Sequence, residues 1–196
     1  MDLGEFRRRL GRARAPAASV YGDDGAEERH AAGVTAAAVL VPVIDHPGGP
    51  TVLFTRRTAQ LKKHSGQISF PGGRDEPSDP GREFTALREA HEEIGLPPDK
   101  VEVIAVLPEY FTRTGFRVTP VVGVVNPPLE LVPDAREVDE VFEVPLAFLL
   151  DSRNHRRASR EIGGRTAHYY EIEHNGRIIW GATAGMIINL YRMLAS

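Results

Sequence analysis

The stretch from Arg88 to Leu96 constrains this chain more than any other, because it crowds three glutamates onto the last turns of one short helix. At about 100° per residue, Glu89 and Glu93 lie one above the other and Glu92 lies to one side. The opposite arc holds four apolar side chains that we expect to be buried: Phe84, Leu87, Ala90 and Ile94. The pattern therefore predicts a helix with one buried face and one carboxylate face.

Both ends of this helix carry sequence signals. Asp79 is followed by Pro80; aspartate accepts hydrogen bonds from the first free N–H groups of a helix, and proline at the first helical position loses none. Gly95 stops the helix, since glycine readily adopts the left-handed conformation of a helix end. We therefore predict a helix that begins at Asp79 and ends at Gly95.

The crowded carboxylates call for a cation. Like charges at i,i+4 repel, and carboxylates near a helix C-terminus face the negative end of the helix dipole, each at a cost on the order of a few tenths of a kcal/mol. A divalent cation with oxygen ligands reverses both penalties, and Mg²⁺, held by a few carboxylates plus substrate phosphates, fits best. The alternative is a solvated acidic face in which Arg88 and Glu92 form an ordinary i,i+4 pair.

The block from Arg88 to Leu96 resembles the second half of the Nudix box, in the order Arg-Glu-apolar-x-Glu-Glu-x-Gly-apolar. The first half departs from the family pattern: Gly73 and five intervening residues are followed by Asp79 instead of a glutamate, and eight residues separate Asp79 from Arg88 where the family has seven. This spacing is similar to that of the coenzyme A diphosphatase branch. So are further blocks, with Lys62 where an arginine is expected: Leu53–Arg57, Leu61–Gly73, Thr114–Gly123, Glu137–Leu146 and Ile179–Gly185.

The resemblance implies hydrolysis of a nucleoside diphosphate derivative and a Nudix-type α/β/α sandwich with a mixed β-sheet, of the α/β (α+β) class. It implies Mg²⁺, or Mn²⁺ in its place, bound by Glu89, Glu93, Glu92 and the carbonyl of Gly73. It also implies that Arg88 orients a glutamate of the box. We expect the catalytic residues to be Glu89, Glu92 and Arg88; Glu137 and Glu140 are also eligible as the base, although charged residues at these positions are typical of an exposed strand edge.

The same resemblance implies coenzyme A as substrate, with 3′,5′-ADP and 4′-phosphopantetheine, or its acylated form, as products. The 3′-phosphate of coenzyme A calls for extra cations, and a basic cluster lies beside the box: Arg56, Arg57, Lys62, Lys63, His64 and Arg74. We expect the substrate-binding residues to be Arg56, Lys62, Lys63, His64, Ser69, Gly72 and Arg74. Ordinary solvated loop charge would explain such a cluster too, and two alternatives remain open: another dinucleotide or capped RNA as substrate, or a catalytically silent module that binds nucleotides.

Two other groups of residues receive milder predictions. Trp180 stands beside small residues, which is typical of a packing anchor rather than a base-stacking platform. A second basic region could bind RNA phosphates, but it lacks interleaved aromatic residues, so a solvated loop is the prediction for Arg153, Arg156, Arg157, Arg160 and Arg165.

Composition limits the partners. A net charge of −3 among 196 residues gives no global attraction to nucleic acid or to an anionic membrane. The absence of cysteine excludes disulfides, a cysteine zinc site and a thiol nucleophile, and it suits a reducing, cytoplasmic compartment. No apolar run reaches the ~18 residues that span a bilayer. We therefore expect a small-molecule substrate and neither a nucleic-acid nor a membrane partner.

The remaining pattern predicts one domain, residues 33–196, after an N-terminal lead-in, residues 1–32, that begins with a short amphipathic helix over Met1–Leu10. Runs of β-branched and apolar residues predict strands at Val34–Ile44, Thr51–Arg56, Gln67–Phe70, Val101–Leu107, Val118–Val125, Val138–Pro145, Thr166–Ile172 and Ile178–Trp180. The first two form a hairpin, as do the last two. A short helix is predicted at Ala147–Asp151 and a longer one at Thr183–Ala195.

Overall fold

The centre of the molecule is a mixed β-sheet, seen in a computed structural model that describes residues 1–13, 33–59 and 66–195. In chain order, the helices and strands of the described residues are α1 (Leu3–Arg12), β1 (Thr35–Ile44), β2 (Thr51–Arg57), β3 (Ile68–Ser69), β4 (Gly72–Arg74), α2 (Arg82–Ile94), β5 (Val101–Val106), β6 (Tyr110–Phe111), β7 (Phe116–Val125), β8 (Val138–Pro145), α3 (Leu146–Leu149), β9 (Arg156–Ile162), β10 (Arg165–His174), β11 (Arg177–Trp180) and α4 (Gly181–Ala195). All eight predicted strands, the N-terminal helix and the C-terminal helix are present, with ends shifted by a few residues.

The order of the main sheet is β3-β2-β1-β7-β5, with β4 pairing to β1, β6 to β7 and β8 to β2. β1 runs parallel to β7 and antiparallel to β2, so the sheet is mixed, as predicted. β1 and β7 read as nearly continuous apolar runs because both of their faces are covered. The predicted hairpin of β1 and β2 is confirmed.

Helices cover both faces of this sheet. On one face α2 packs Ala86, Ala90 and Ile94 into a core with residues of β1 and β7. On the other face α1 and α4 contribute Phe6 and Leu190, among others, to a second and larger core. This layering confirms the α/β/α sandwich. No helix within the described ranges has the length and apolar character needed to cross a membrane.

The structure corrects two predictions about α2. The helix begins at Arg82 after Gly81, and Asp79 does not cap it; its carboxylate instead accepts hydrogen bonds from Arg88. Phe84 is 48% exposed, because the helix turns Ala86, Ala90 and Ile94 towards the sheet and leaves Phe84 outside that arc. The predicted stop at Gly95 is confirmed, with a left-handed φ of 70°.

A separate three-stranded antiparallel sheet, β9-β10-β11, lies near the C-terminus. The predicted hairpin of β10 and β11 is confirmed. The prediction of a solvated loop is wrong for Arg156, Arg157 and Arg160, which belong to β9, and for Arg165, which begins β10; the two strands pair with each other. The strands β4 and β6 were also missed, because two or three residues are too few for a periodic pattern. The predicted short helix exists as α3, although it begins at Leu146 and ends at Leu149.

Candidate active site

The carboxylate of Glu93 is the most deeply placed charge of α2. Its side chain is 6% exposed, and the side chain of Glu92 is 57% exposed, although the two are neighbours in sequence. The Gly72 backbone N–H donates to Oε2 of Glu93 at 3.2 Å, and Arg57 donates to Oε1 at 3.3 Å. Burial raises the pKa of the Glu93 carboxyl to about 7, against the opposing effects of Arg57 and the Gly72 hydrogen bond.

The glycine pair Gly72–Gly73 is packed directly against these carboxylates. A Cβ atom at Gly73 would lie 2.5 Å from Oε1 of Glu89, and one at Gly72 would lie 2.5 Å from the Ala38 carbonyl oxygen. Both distances are far below van der Waals contact, so any side chain at either position would displace its neighbours. The β4 backbone, which pairs with β1, therefore lies directly against the Glu89 side chain of α2.

Arg88 holds the carboxylates of the predicted box in place. Its guanidinium donates to Oε1 of Glu89 at 3.0 Å, to Oε2 of Glu92 at 3.1 Å and to the Arg74 carbonyl at 3.0 Å. Two more hydrogen bonds, of 3.2 and 3.0 Å, reach Asp79. The hydrogen bond from Arg88 holds the pKa of Asp79 near 2. Asp79, which stands where the family pattern has a glutamate, thus fixes the arginine that orients the box.

Glu89 lies between the two extremes of exposure, with 18% of its side chain accessible. Burial raises the pKa of its carboxyl, and the charge of Arg88 opposes that shift. Hard oxygen donors lie at this point, since the carboxylates of Glu89 and Glu93 both lie against the backbone of the glycine pair. This chemistry fits Mg²⁺ or Mn²⁺.

The protein would supply only part of the coordination of the cation and would not enclose it on all sides. Among the described residues, no three acidic or histidine side chains already converge on one point. Arg88 and Arg57 instead pair with the carboxylates. Mg²⁺ commonly takes only one or two carboxylates from the protein and completes its coordination with water and substrate phosphates, so the two carboxylates suffice.

Arg57 is a candidate site residue that the sequence reasoning did not single out from its basic cluster. It contacts the buried Glu93 and, at 3.6 Å, Glu137. The signal was present: adjacent strand residues point to opposite faces, so only one of Arg56 and Arg57 can reach the box helix. Glu137 adds to the negative potential at Glu89 and Glu93, which places this predicted alternative base next to the box.

Arg56 lies on the other side of β2 and is engaged elsewhere. It pairs with Asp139 at 2.8 Å and with Glu140 at 3.2 Å. Glu140 also accepts a hydrogen bond from Arg177, which lowers the pKa of its carboxyl. Glu140 is therefore half-buried between two arginines. It is a poorer base than a glutamate at an exposed strand edge, the position predicted from the sequence, would be.

A cavity of about 370 Å³ opens beside the glycine pair. Three of the predicted substrate-binding residues line it, namely Ser69, Gly72 and Arg74, and Arg57 does so as well. Arg56 lines a neighbouring cavity instead. The predicted contacts of Lys62, Lys63 and His64 lie outside the described residues. Trp180 also lines the first cavity.

The sandwich fold and the acidic helix against a glycine pair define a class of enzyme, the hydrolases that cleave acid anhydrides of phosphate. The family model described as the NUDIX domain matches residues 34–163. Proteins named as the uncharacterized Nudix hydrolase NudL are 42% identical in Pectobacterium atrosepticum, over 79% of this chain and 80% of that protein, and 41% identical in Escherichia coli (strain K12 / DH10B), over the same shares. The crystal structure of the Nudix hydrolase RenU from M. Smegmatis is 31% identical, with a TM-score of 0.50 over 59% of this chain and 73% of that one. The chain belongs to the Nudix family, and it is an enzyme of its diphosphatase class.

Proposed function

We propose that this enzyme hydrolyses the diphosphate bond of coenzyme A, giving 3′,5′-ADP and 4′-phosphopantetheine, or the acylated form of the latter from a thioester. The observation that carries the reaction type is the pair of carboxylates on α2: Glu89 lies against Gly73 and Glu93 accepts a hydrogen bond from Gly72. Both glycines line the cavity. The choice of coenzyme A rests on the sequence blocks around the box, above all Leu61–Gly73 and the eight-residue spacing before Arg88.

Glu89, Glu93 and the Gly73 carbonyl would hold the cation, with Glu92 as an outer ligand. When bound there, Mg²⁺ or Mn²⁺ supplies positive charge that polarises a phosphoryl oxygen and stabilises the leaving oxyanion. The absence of side chains at Gly72 and Gly73 lets the phosphates approach the backbone closely.

The protein's own groups orient the carboxylates and accept the proton. Arg88 fixes Oε1 of Glu89 through a charge-assisted hydrogen bond, so a proton from the attacking water would go to Oε2. Glu140 is the poorer candidate, because the hydrogen bond from Arg177 lowers the pKa of its carboxyl. Arg74 lines the cavity with its charge beside the glycine pair. Glu89 is therefore our proposed base, and Arg88 is a positioning residue.

The second candidate is a nucleoside diphosphate derivative that lacks a 3′-phosphate. It is favoured by the position of Arg56, whose charge is offset by Asp139 and Glu140 and which lies in the neighbouring cavity. The recognition of a 3′-phosphate would then rest on Lys62, Lys63 and His64. A silent nucleotide-binding module is disfavoured, because a protein without turnover gains nothing from keeping Glu93 buried at the cost of its charge.

Incubating the purified protein with a panel of nucleotides, and identifying the products by mass, separates the candidates. The panel should contain coenzyme A, its 3′-dephospho form, ADP-ribose, diadenosine polyphosphates and capped RNA, each with Mg²⁺, Mn²⁺ or a chelator. We expect metal-dependent release of 3′,5′-ADP from coenzyme A, faster than cleavage of any other member. Preferred cleavage of the 3′-dephospho form or of another member would overturn the assignment to coenzyme A.

Replacing Glu93 tests the role of the carboxylates. We expect Glu93→Gln to lower kcat/KM with Mg²⁺ by at least about a hundredfold, since the substitution removes one oxygen ligand and its charge. Glu83→Gln is the matched control, because Glu83 lies exposed in the first turn of the same helix. Near-normal turnover by a folded Glu93→Gln protein would refute the ligand role.

A further inference from the structure

Two residues that line the cavity beside the glycine pair, Arg160 and Trp180, take no part in the proposed reaction. Together with Tyr169, which lines the neighbouring cavity, they form what we call the stacking cluster. We propose that the stacking cluster binds the adenine base of the substrate. This inference deepens the proposed function and rests on it to the extent that the substrate is an adenine nucleotide.

In the stacking cluster, the Arg160 guanidinium lies over the Trp180 ring, and the Tyr169 ring packs beside the Trp180 ring. The Arg160 Cζ atom lies 4.9 Å from the centroid of the Trp180 ring and 5.6 Å from that of Tyr169. The two rings meet edge to face, with centroids 5.7 Å apart. A guanidinium at this distance from an indole forms a cation–π contact, which holds both groups in a defined orientation.

Strand register brings the three side chains together on one face of the C-terminal sheet. Arg160 pairs with Ala167, two residues before Tyr169, and Trp180 pairs with Glu171, two residues after it. Directly paired residues share a face, and so do residues two apart along a strand. The cluster is therefore built on three hydrogen-bonded strands and does not depend on a loop.

Its position suits a ligand better than it suits packing. Trp180 is only half-buried, and together with Arg160 it lines both the cavity at the glycine pair and the neighbouring cavity that holds Arg177. Part of the indole surface is therefore open to these cavities, where a ligand can reach it. We favour a ligand role for Trp180 over the packing role predicted from the sequence.

The shape of the cavity argues for the nucleotide half of the substrate. Its volume of about 370 Å³ falls in the range of small-molecule sites. The lining offers backbone and charge for phosphates at Gly72, Gly73 and Arg74, and it offers flat surface for a base at Trp180 and Arg160. A purine gains from stacking on an aromatic ring and a guanidinium, whereas the flexible pantetheine arm has no flat face to stack.

Trp180 provides the readout, because it is the one tryptophan among the 196 residues. Its fluorescence should be titrated, with Mg²⁺ present, against AMP, 3′,5′-ADP, ribose 5-phosphate and 4′-phosphopantetheine. We expect saturable quenching by the two adenine nucleotides and none by ribose 5-phosphate or 4′-phosphopantetheine. Quenching by 4′-phosphopantetheine in place of the nucleotides, or no quenching by any of the four, would overturn the proposal.

Substitutions test the same contact without the fluorescent signal. Trp180→Leu and Arg160→Met should each weaken AMP binding in equilibrium dialysis, and raise KM for the preferred adenine nucleotide, by about tenfold with kcat little changed. Trp180→Phe should retain most of the affinity, and Arg153→Ala is the matched control, since Arg153 is exposed and pairs with Asp151. Unchanged affinity in a folded Trp180→Leu protein would refute the stacking contact.

The two proposals can fail separately. Cleavage of another adenine nucleotide in preference to coenzyme A would overturn the proposed function and leave the quenching by AMP in place. Normal turnover of coenzyme A without quenching by 3′,5′-ADP would overturn the stacking cluster alone.

Discussion

At Glu93 the protein keeps a carboxylate where water is nearly excluded, with one arginine and one backbone N–H as partners. The ordinary pKa of this carboxyl is 4.5, and burial raises it to about 7 in the folded protein. Between these two pH values the folded state keeps a proton that the unfolded state has released. Linkage therefore requires the free energy of unfolding to fall as the pH rises from about 4.5 to about 7, provided that no cation is bound.

The cost of this charge predicts a stabilising mutation. In the presence of a chelator at pH 8, we expect Glu93→Gln to raise the free energy of unfolding by up to roughly 3 kcal/mol, from about 1.4 kcal/mol per pKa unit. Urea unfolding at pH 8 and pH 4.5 measures it, and the gain should vanish at the lower pH. Glu83→Gln should change the free energy by less than about 0.5 kcal/mol at both. A Glu93→Gln protein less stable than the parent at pH 8 would contradict the assigned burial cost.

At the scale of single elements, the C-terminal end of α2 ties the acidic helix to the loop that carries Glu137. The Val132 N–H donates to the Ile94 carbonyl and the Asp134 N–H donates to the Glu93 carbonyl, both at 2.9 Å. Gly95 makes this turn possible, because its φ of 70° lies in the left-handed region. The helix end, and not only its side chains, therefore determines where Glu137 stands relative to Glu93.

We expect Gly95→Ala to lower the free energy of unfolding by about 1 to 2 kcal/mol, the cost of a side chain in left-handed backbone. The added Cβ would also lie 3.0 Å from the Val132 nitrogen. Gly48→Ala is the control, since a Cβ there meets no atom within 4 Å, and its effect should stay within about 0.5 kcal/mol. Equal stability of the two variants in urea unfolding would count against the strained turn.

At the scale of the whole molecule, the N-terminal helix α1 is packed into the core of the sandwich. Phe6 is fully buried in the larger core, and Arg7 forms two hydrogen bonds of 2.6 Å with Glu102 of β5. A helix held only as a lead-in segment would not bury an aromatic side chain in this way. We therefore propose that α1 unfolds together with residues 33–196 as one cooperative unit.

Phe6→Ala tests this unit. We expect it to lower the free energy of unfolding by about 3 kcal/mol, with a single transition in both far-ultraviolet circular dichroism and tryptophan fluorescence. Arg9→Ala is the control, because Arg9 is exposed and pairs only within α1, with Glu5, among the contacts described. An unchanged transition midpoint for Phe6→Ala would mean that α1 unfolds independently.

Much of the fold could be predicted from local patterns in the sequence, whereas much of the site could not. Strands such as β1 and β7 were predicted because long apolar runs identify themselves. β9 was missed because its arginines read as solvated charge, and only pairing with β10 makes them a strand. The carboxylates of the site were predicted from the crowding of glutamates on one helix. The role of Asp79 as a helix cap was predicted wrongly, because its carboxylate accepts hydrogen bonds from Arg88 instead.

The amino-acid sequence by itself determined that Glu89, Glu92 and Glu93 share one end of a helix that stops at Gly95, because helical periodicity and glycine conformation are local properties. Only the tertiary structure decided that Glu93 is buried and Glu92 is not, that Arg57 rather than Arg56 faces the box, and that Arg160, Tyr169 and Trp180 form one cluster. Burial and cross-strand register arise from contacts between residues far apart in the chain, and these contacts also set the pKa of Glu93 and the shape of the cavity.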